Sequence, residues 1–587
     1  MVETDHYDVV IIGAGLAGLA LSRQLLLYSD KKILLLDKRT EIPQKKQKVG
    51  ESTVQVSAYY YAKVLDLEEH LSIEHFMKYN LRYYWKTPGK ANDAFEHYSH
   101  AFIQRFSNIC CYQLDRNRFE GEMFRLNSRN PNFTFIGGVG ELSVSLSKDG
   151  PHSIGFKAGG GEYALTATWV VDTSGRGKHL ARQMDLGKEN PIHHGTSFYW
   201  VEGLVNIDKL TELSPKEIRM KKDRVETGHS PFWLATNHFM GEGFWFWVIP
   251  LHHITSLGLV YDNRIVPRDR VSTVPKLIEW ICEEFPLFAR DLPYRKVLDQ
   301  SSIKDFSYDC KQTISSERWA LSGEAGRFTD PLYSPGSDLI SLHNTLITDA
   351  ILTDDEDELS AKCWLYEQLE EVFYQGTVPA YAVTYDALGD QEAFVLKYAW
   401  ELSIYFGFYV FPFINDFFTD RRFLLMYLGR FSRLGLINTN LQAFISGYFQ
   451  WKKNRPAAAR EPVFYDFTNI AALREAEKCF YKVGVSVDEA RLVLDAQLAN
   501  LEETARYFAA HIYSMALGEK GAVHNRTFIE SIDLGNLNFD VNQMREFYSR
   551  HAESIGQYEW SFDATVLERF RTEAEAEVME SEVEMAV

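Results

Sequence analysis

Gly13-Ala14-Gly15-Leu16-Ala17-Gly18 follows a β-branched apolar run at residues 7–12 and precedes LALSRQLLLYS, whose periodicity is helical. Glycines at that spacing permit a tight turn, close backbone approach to a pyrophosphate, and close packing of strand on helix. The helix that follows aims its positive end at the phosphate. A second apolar run, residues 32–36, ends at Asp37, 19 residues beyond Gly18, with Lys38 next to it. A carboxylate there can accept hydrogen bonds from an adenosine ribose. Strand, glycines, helix, strand and acid in register predict a dinucleotide site touching Gly13, Ala14, Gly15, Gly18, Asp37 and Lys38. A second unit of this kind is not visible. Residues 159–161 lack a following helix, and residues 137–140 lack the apolar strand and the acid.

Further segments bear on which dinucleotide binds. Val49-Gly50-Glu51-Ser52-Thr53 follows a basic loop and precedes a helix. Leu114-Asp115-Arg116-Asn117-Arg118 starts another helix. Val170-Val171-Asp172-Thr173-Ser174-Gly175 turns at the end of a strand, and Ser322-Gly323-Glu324-Ala325-Gly326 follows a strand. In this order they resemble the FAD-contacting elements of two-domain flavoprotein oxygenases. The resemblance implies FAD, with Gly50, Glu51, Ser52, Arg116, Gly323 and Glu324 around it. Glu324 stands where that superfamily usually has aspartate.

Gly243-Phe244-Trp245-Phe246-Trp247-Val248-Ile249-Pro250 contains W-x-W-x-I-P, and alternation along a strand puts Trp245 and Trp247 on one face. An isolated aromatic strand would simply fill a core. Between the flavin segments, however, this one resembles the pattern that separates flavin-dependent halogenases from their hydroxylase relatives. That family takes the tryptophan wall to keep substrate off the flavin. Lys78, 27 residues after Glu51 and just before the aromatic run Tyr83-Tyr84-Trp85, matches the family's lysine. The resemblance implies that reduced flavin and O2 give a hydroperoxide, that chloride or bromide attacks it to form hypohalous acid, and that a desolvated lysine guides this oxidant. Phe328-Thr329-Asp330-Pro331-Leu332-Tyr333-Ser334-Pro335-Gly336-Ser337 resembles the family's halide-binding loop, where backbone amides form an anion nest. Two departures stand out. Tyr333 occupies the position of a glutamate in tryptophan halogenases, which points to the phenol- or pyrrole-acting branch. Pro335 has no N–H, leaving Gly336, and Ser334 Oγ or Ser337, to meet the halide.

Elements that could hold these residues are legible in outline. The chain has 587 residues, 45% hydrophobic and 24% charged, as in soluble globular proteins and beyond the size of one ordinary domain. The expected fold is α/β: a two-domain FAD-binding flavoprotein monooxygenase/halogenase fold. It has an FAD-binding module over 1–350, a substrate-facing sheet inserted at 76–110 and 190–300, and a helical region over 355–570 covering the pocket. In that region DDEDE, from Asp354, reads as a solvated linker and 487–517 as one or two amphipathic helices. The aromatic run from Trp400 to Phe418 is mostly helical core, some of it facing the pocket. Residues 571–587, dense in glutamate, are expected to be a disordered acidic tail.

A net charge of −19, from 81 acidic and 62 basic residues, argues against a nucleic acid partner. The longest uncharged aromatic stretch, 402–415, is too short to span a bilayer and holds Pro412. Six cysteines without a CxxC pair read as reduced core thiols, and with no signal peptide visible they suggest a cytoplasmic protein that binds no metal. The expected partners are a separate flavin reductase and an aromatic small molecule, either free or held on a carrier protein. The alternative on the same fold is a flavin monooxygenase that hydroxylates or epoxidises directly. A flavin redox enzyme without oxygen chemistry is the reading from another class.

Overall fold

A computed structural model describes residues 5–221, 227, 231–455, 457, 459–553 and 555–570. The expected acidic tail, 571–587, lies outside the described residues.

The apolar N-terminal runs, buried on both faces, form the parallel part of an eight-stranded mixed sheet. Its spatial order is Trp319–Leu321, Gly161–Asp172, His6–Ile12, Ile33–Leu36, Phe133–Ile136. The register brings Ile12, Leu36, Asp172 and Leu321 to one level. The segments that follow these strands (Gly13, Asp37, Thr173, Ser322–Gly323) therefore emerge together at the carboxyl edge, where open α/β sheets bind ligands. The helix Leu16–Tyr28 follows the first glycine turn, and its inward residues Leu16, Leu19, Ala20 and Leu21 are buried.

A second, eight-stranded sheet is built from Leu81–Lys86, Tyr98–Phe102, His194–Glu202, Thr236–Gly241, Phe244–Leu251, Ile254–Asp262 and Val297–Ile303. They fall at 81–102 and 194–303, the last strand running past the expected boundary at 300. The eighth strand, Phe464–Asp466, comes from the C-terminal region and pairs in parallel with Tyr98–Phe102, so that region is not purely helical. Along Phe244–Leu251 the pleat divides the side chains: Trp245, Trp247 and Ile249 join the large central core, whereas Phe244, Phe246 and Val248 pack against Phe285 and Phe288 behind the sheet.

Long helices follow: Gln391–Ile404 packs on the second sheet through Phe394 against Tyr83 and Trp85, and Glu356–Ala382, Arg421–Lys453 and Val487–Leu517 pack with one another around it. Val487–Leu517 is one uninterrupted helix. Asp355 caps Glu356–Ala382 by accepting from the Glu358 N–H, and Glu356, Asp357 and Glu358 form its first turn. The acidic run is therefore a helix start, with negative charge at the positive end of the helix dipole, and not a linker. Residues 405–410 form a π-helical turn ahead of Phe411–Ile414. Among the described residues no helix is long and apolar enough to cross a membrane. All six cysteines are free; four are buried, Cys282 is half-buried and Cys110 is exposed.

Candidate active site

The edge where the parallel strands end opens into a groove of about 910 Å³ running toward the second sheet. Gly13, with φ at +111°, could not carry a Cβ, which would fall 2.7 Å from the Thr173 carbonyl oxygen. A Cβ on Gly18 would fall 2.0 Å from the Gly13 carbonyl oxygen. Gly15 differs: no atom lies within 4 Å of the position its Cβ would take, so the backbone there fronts open groove. Asp37 accepts from the Ala14 N–H at 2.7 Å and from Arg39 through both carboxylate oxygens at 2.8 and 2.7 Å. Burial works to raise its pKa, but the Arg39 and Ala14 hydrogen bonds outweigh this and hold it below the ordinary value. Lys38 lines the same groove.

Gly50, Glu51, Ser52, Arg116, Gly323 and Glu324 line the groove further along. Arg116 is fixed by the Val49 carbonyl at 2.7 Å and by Glu120 at 2.6 Å. Glu51 receives the Trp200 indole N–H at 2.7 Å, and burial pushes its carboxyl up to about 8. Burial also raises Glu324, against the pull of Arg176, Arg116 and Lys178.

Beyond the groove, under the long helices, lies a second cavity of about 330 Å³ with mostly apolar walls. Of the aromatic run, Tyr405, Phe406, Tyr409, Phe413 and Phe418 face it. Trp400, Phe408, Phe411 and Phe417 are core. Lys78 stands at the boundary. It is 6% exposed, donates to Ser52 Oγ at 3.1 Å and to the Thr53 carbonyl, and lines the helical cavity, whereas Ser52 lines the groove. Two of its three ammonium protons are thus accounted for. Burial draws its pKa down to about 8, opposed by the charges of Cys111 and Asp338.

The loop between the cavities has φ values of +69° at Tyr333 and +65° at Ser334, a backbone conformation that side chains rarely adopt. Such strain persists where surroundings enforce it, and it gathers at functional sites. Tyr333 and Pro335 face the helical cavity; Ser334 and Gly336 face the groove. The Ser334 N–H is taken by the Pro331 carbonyl at 2.9 Å. Pro335 is the first residue of the helix Pro335–Ile351, a position where its missing N–H costs nothing. The N–H groups of Gly336 and Ser337 follow in the first turn, where no intrahelical carbonyl can reach them.

Trp245 and Trp247 lie together on the groove side, ring centroids 5.7 Å apart. Trp245 donates to the Tyr385 hydroxyl at 2.6 Å and Trp247 to Ser256 Oγ at 3.2 Å. Pro250 lies opposite Thr255 in the strand pairing and lines neither cavity.

Several residues at the site escaped the sequence. Asp338, on the same helix, accepts from the Ser57 N–H at 2.8 Å and the Tyr405 hydroxyl at 2.6 Å; burial lifts it to about 6. Thr236 bonds Ser52 Oγ at 2.9 Å, and His238, driven down to about 3 by burial, stacks on Tyr83. Glu401 lines the helical cavity from above. Asp338 alone had a signal, being an acid in the first turn of a helix that begins with proline.

A glycine turn at the carboxyl edge of parallel strands, joined to a second sheet and a helical cover, makes a mixed α/β fold with an added chamber. No family model matches the chain. The flavin-dependent halogenase chlA of Dictyostelium discoideum is 25% identical over 370 residues, 59% of this chain. Tetracycline 7-halogenase of Kitasatospora aureofaciens is 26% identical over 407 residues, 62% of this chain and 67% of that protein. The chain matches 60% of the length of chlA. Halogenase PltM, solved in complex with phloroglucinol and FAD, has the same fold with a TM-score of 0.58 at 16% identity, over 85% of this chain and 96% of PltM. The curated proteins and solved structures that the chain resembles are flavin-dependent halogenases.

Proposed function

We propose that this chain is an FAD-dependent halogenase that modifies an electron-rich aromatic or heteroaromatic small molecule with chloride or bromide. The observation that carries this reading is Lys78, a buried amine standing between the groove at the glycine turn and a mostly apolar cavity.

Gly13, Ala14, Gly15, Gly18, Asp37 and Lys38 would hold the ADP half of FAD, with Gly15 leaving room for the pyrophosphate. Gly50, Glu51, Ser52, Arg116, Gly323 and Glu324 would hold the flavin half. FAD, reduced by a separate reductase, supplies with O2 the oxidising equivalent that converts halide to hypohalous acid. The N–H groups of Gly336 and Ser337 at a helix N-terminus suit a halide ion. They take the role expected of the amide that Pro335 lacks. Trp245 and Trp247 close the groove against bulky substrates. Lys78 offers its third N–H toward the cavity, and its lowered pKa leaves a fraction of neutral amine near pH 8 for bonding to the oxidant. Aromatic walls exclude water and present the acceptor ring.

The test is a reaction with FAD, NADH, a flavin reductase, O2 and bromide over a panel of phenols, pyrroles and indoles, followed by mass spectrometry. The expected product carries the bromine isotope doublet. A product gaining only oxygen, unchanged by halide, would make the chain a monooxygenase instead.

A further inference from the structure

The helical cavity has mostly apolar walls, with Lys78 and Asp338 on one side and a separate polar corner on another. There three polar atoms have no hydrogen-bond partner among the described residues: Glu401 Oε2 and the hydroxyls of Tyr333 and Tyr374. They come from three separate elements: the helix Gln391–Ile404, the loop before Pro335, and the helix Glu356–Ala382. The Tyr333 hydroxyl neighbours the Glu401 carboxylate, and burial first, then the charge of that carboxylate, raises Tyr333 well above the usual tyrosine value.

The other half of Glu401 is fully engaged. Its Oε1 accepts from Gln442 Nε2 at 2.7 Å and from Lys397 Nζ, whose side chain is wholly buried and also donates to the Ala380 carbonyl at 2.9 Å. Lys397 thus balances the charge, and Glu401 keeps one oxygen free at the cavity wall. An acceptor left bare in such a place costs free energy, more so when it belongs to a charged group. Two hydroxyls able to donate or accept flank it.

We propose that Glu401 is the specificity-determining residue of the cavity. It receives the O–H of a hydroxyl on an aromatic substrate, while Tyr333 or Tyr374 donates to the same oxygen. The inference deepens the halogenase reading and rests on it for treating the cavity as the acceptor's chamber. The ligand class is a phenol rather than its ether or an unsubstituted arene. A hydroxyl hydrogen-bonded to a carboxylate also pushes electron density into its ring, which favours attack on an electrophilic halogen.

The test measures binding, so it does not depend on turnover. Resorcinol and 1,3-dimethoxybenzene are titrated by equilibrium dialysis into the FAD-loaded protein and into Glu401→Gln, with halogenation assayed in parallel. The native protein is expected to prefer resorcinol by about tenfold or more, the worth of a hydrogen bond to a charged group. Glu401→Gln should bring the ratio near one and leave FAD affinity unchanged. Tyr374→Phe, which leaves the Lys397 pair intact, should lower the ratio severalfold and serves if Glu401→Gln fails to fold. Equal affinity for the two probes, no binding of resorcinol, or a ratio unmoved by these variants would overturn the proposal. A preserved ratio without halogenation would instead overturn the reading of the reaction.

Discussion

Nδ1 of His194 lies 2.6 Å from Oδ2 of Asp330, and neither side chain reaches solvent. His194 begins a strand of the second sheet; Asp330 belongs to the strained loop and accepts the Leu332 N–H through its other oxygen at 2.8 Å. Trp245 reaches the same neighbourhood through Tyr385, whose ring sits 3.9 Å from that of His194. The sheet therefore holds the loop whose positive φ values sequence alone would not suggest. His194→Ala should cost about 3–5 kcal/mol, since it leaves a buried carboxylate short of a partner. His194→Asn, which keeps a donor, should cost less. Urea denaturation of the two variants checks the order.

Lys78 gives a prediction in which activity and stability move apart. Burial lowers its pKa from 10.5 to about 8. Between those values the unfolded chain carries a proton that the folded chain lacks, so stability rises with pH across that window, and below pH 8 the full penalty of the buried ammonium applies. A depression of that size corresponds to roughly 3 kcal/mol. Lys78→Met should therefore gain up to that amount at pH 7, less what the bare Thr53 carbonyl costs, and the gain should shrink by pH 10. Halogenation should fall about 10²-fold or more, the scale of a lost proton-handling group. Denaturation at the two pH values, beside product yield, tests both halves.

Glu51 titrates in the opposite sense. Its folded value of about 8 lies above the ordinary 4.5, so the folded chain holds a proton that the unfolded chain has lost. Stability then falls as pH rises from 4.5 to 8. Glu51→Gln, a mimic of the neutral acid, should flatten that fall and bind FAD nearly as well as the native protein. Denaturation at pH 5 and pH 8, with flavin fluorescence titration, gives both readouts.

Two glycines of one motif should fail differently. Gly18→Ala drives a Cβ into the Gly13 carbonyl and should destabilise or prevent folding. Gly15→Val points into open groove, so the chain should fold with a native melting temperature and lose FAD affinity at least tenfold. Thermal melts without added flavin separate the two.

The glycine turn was legible because Gly13 and Gly18 each answer a local geometric demand, and Trp245 and Trp247 because pleat alternation fixes their common face. Lys78 was legible by resemblance and spacing, its desolvation included; its partners Ser52 and Thr53 were not. His194, Asp338 and Glu401 left little trace, since each gains meaning from a neighbour far away in the chain: Asp330, Ser57 and Tyr333. The same limit explains the acidic run, which caps a helix, and Phe464–Asp466, too short to read as a strand without the edge it completes. Pro335 was legible as a missing donor, but not as the first residue of a helix, where the helix itself loses no hydrogen bond.

The partition between groove and cavity has an evolutionary consequence. On the halogenase reading, a small oxidant is all that passes between the two chambers, so flavin and acceptor need never fit one another. The helices over residues 356–453 can then drift to suit new aromatic scaffolds while the glycine turn and its strands stay fixed. Such a chain is a chassis with an exchangeable front end, and diversity among its descendants should collect in the cover.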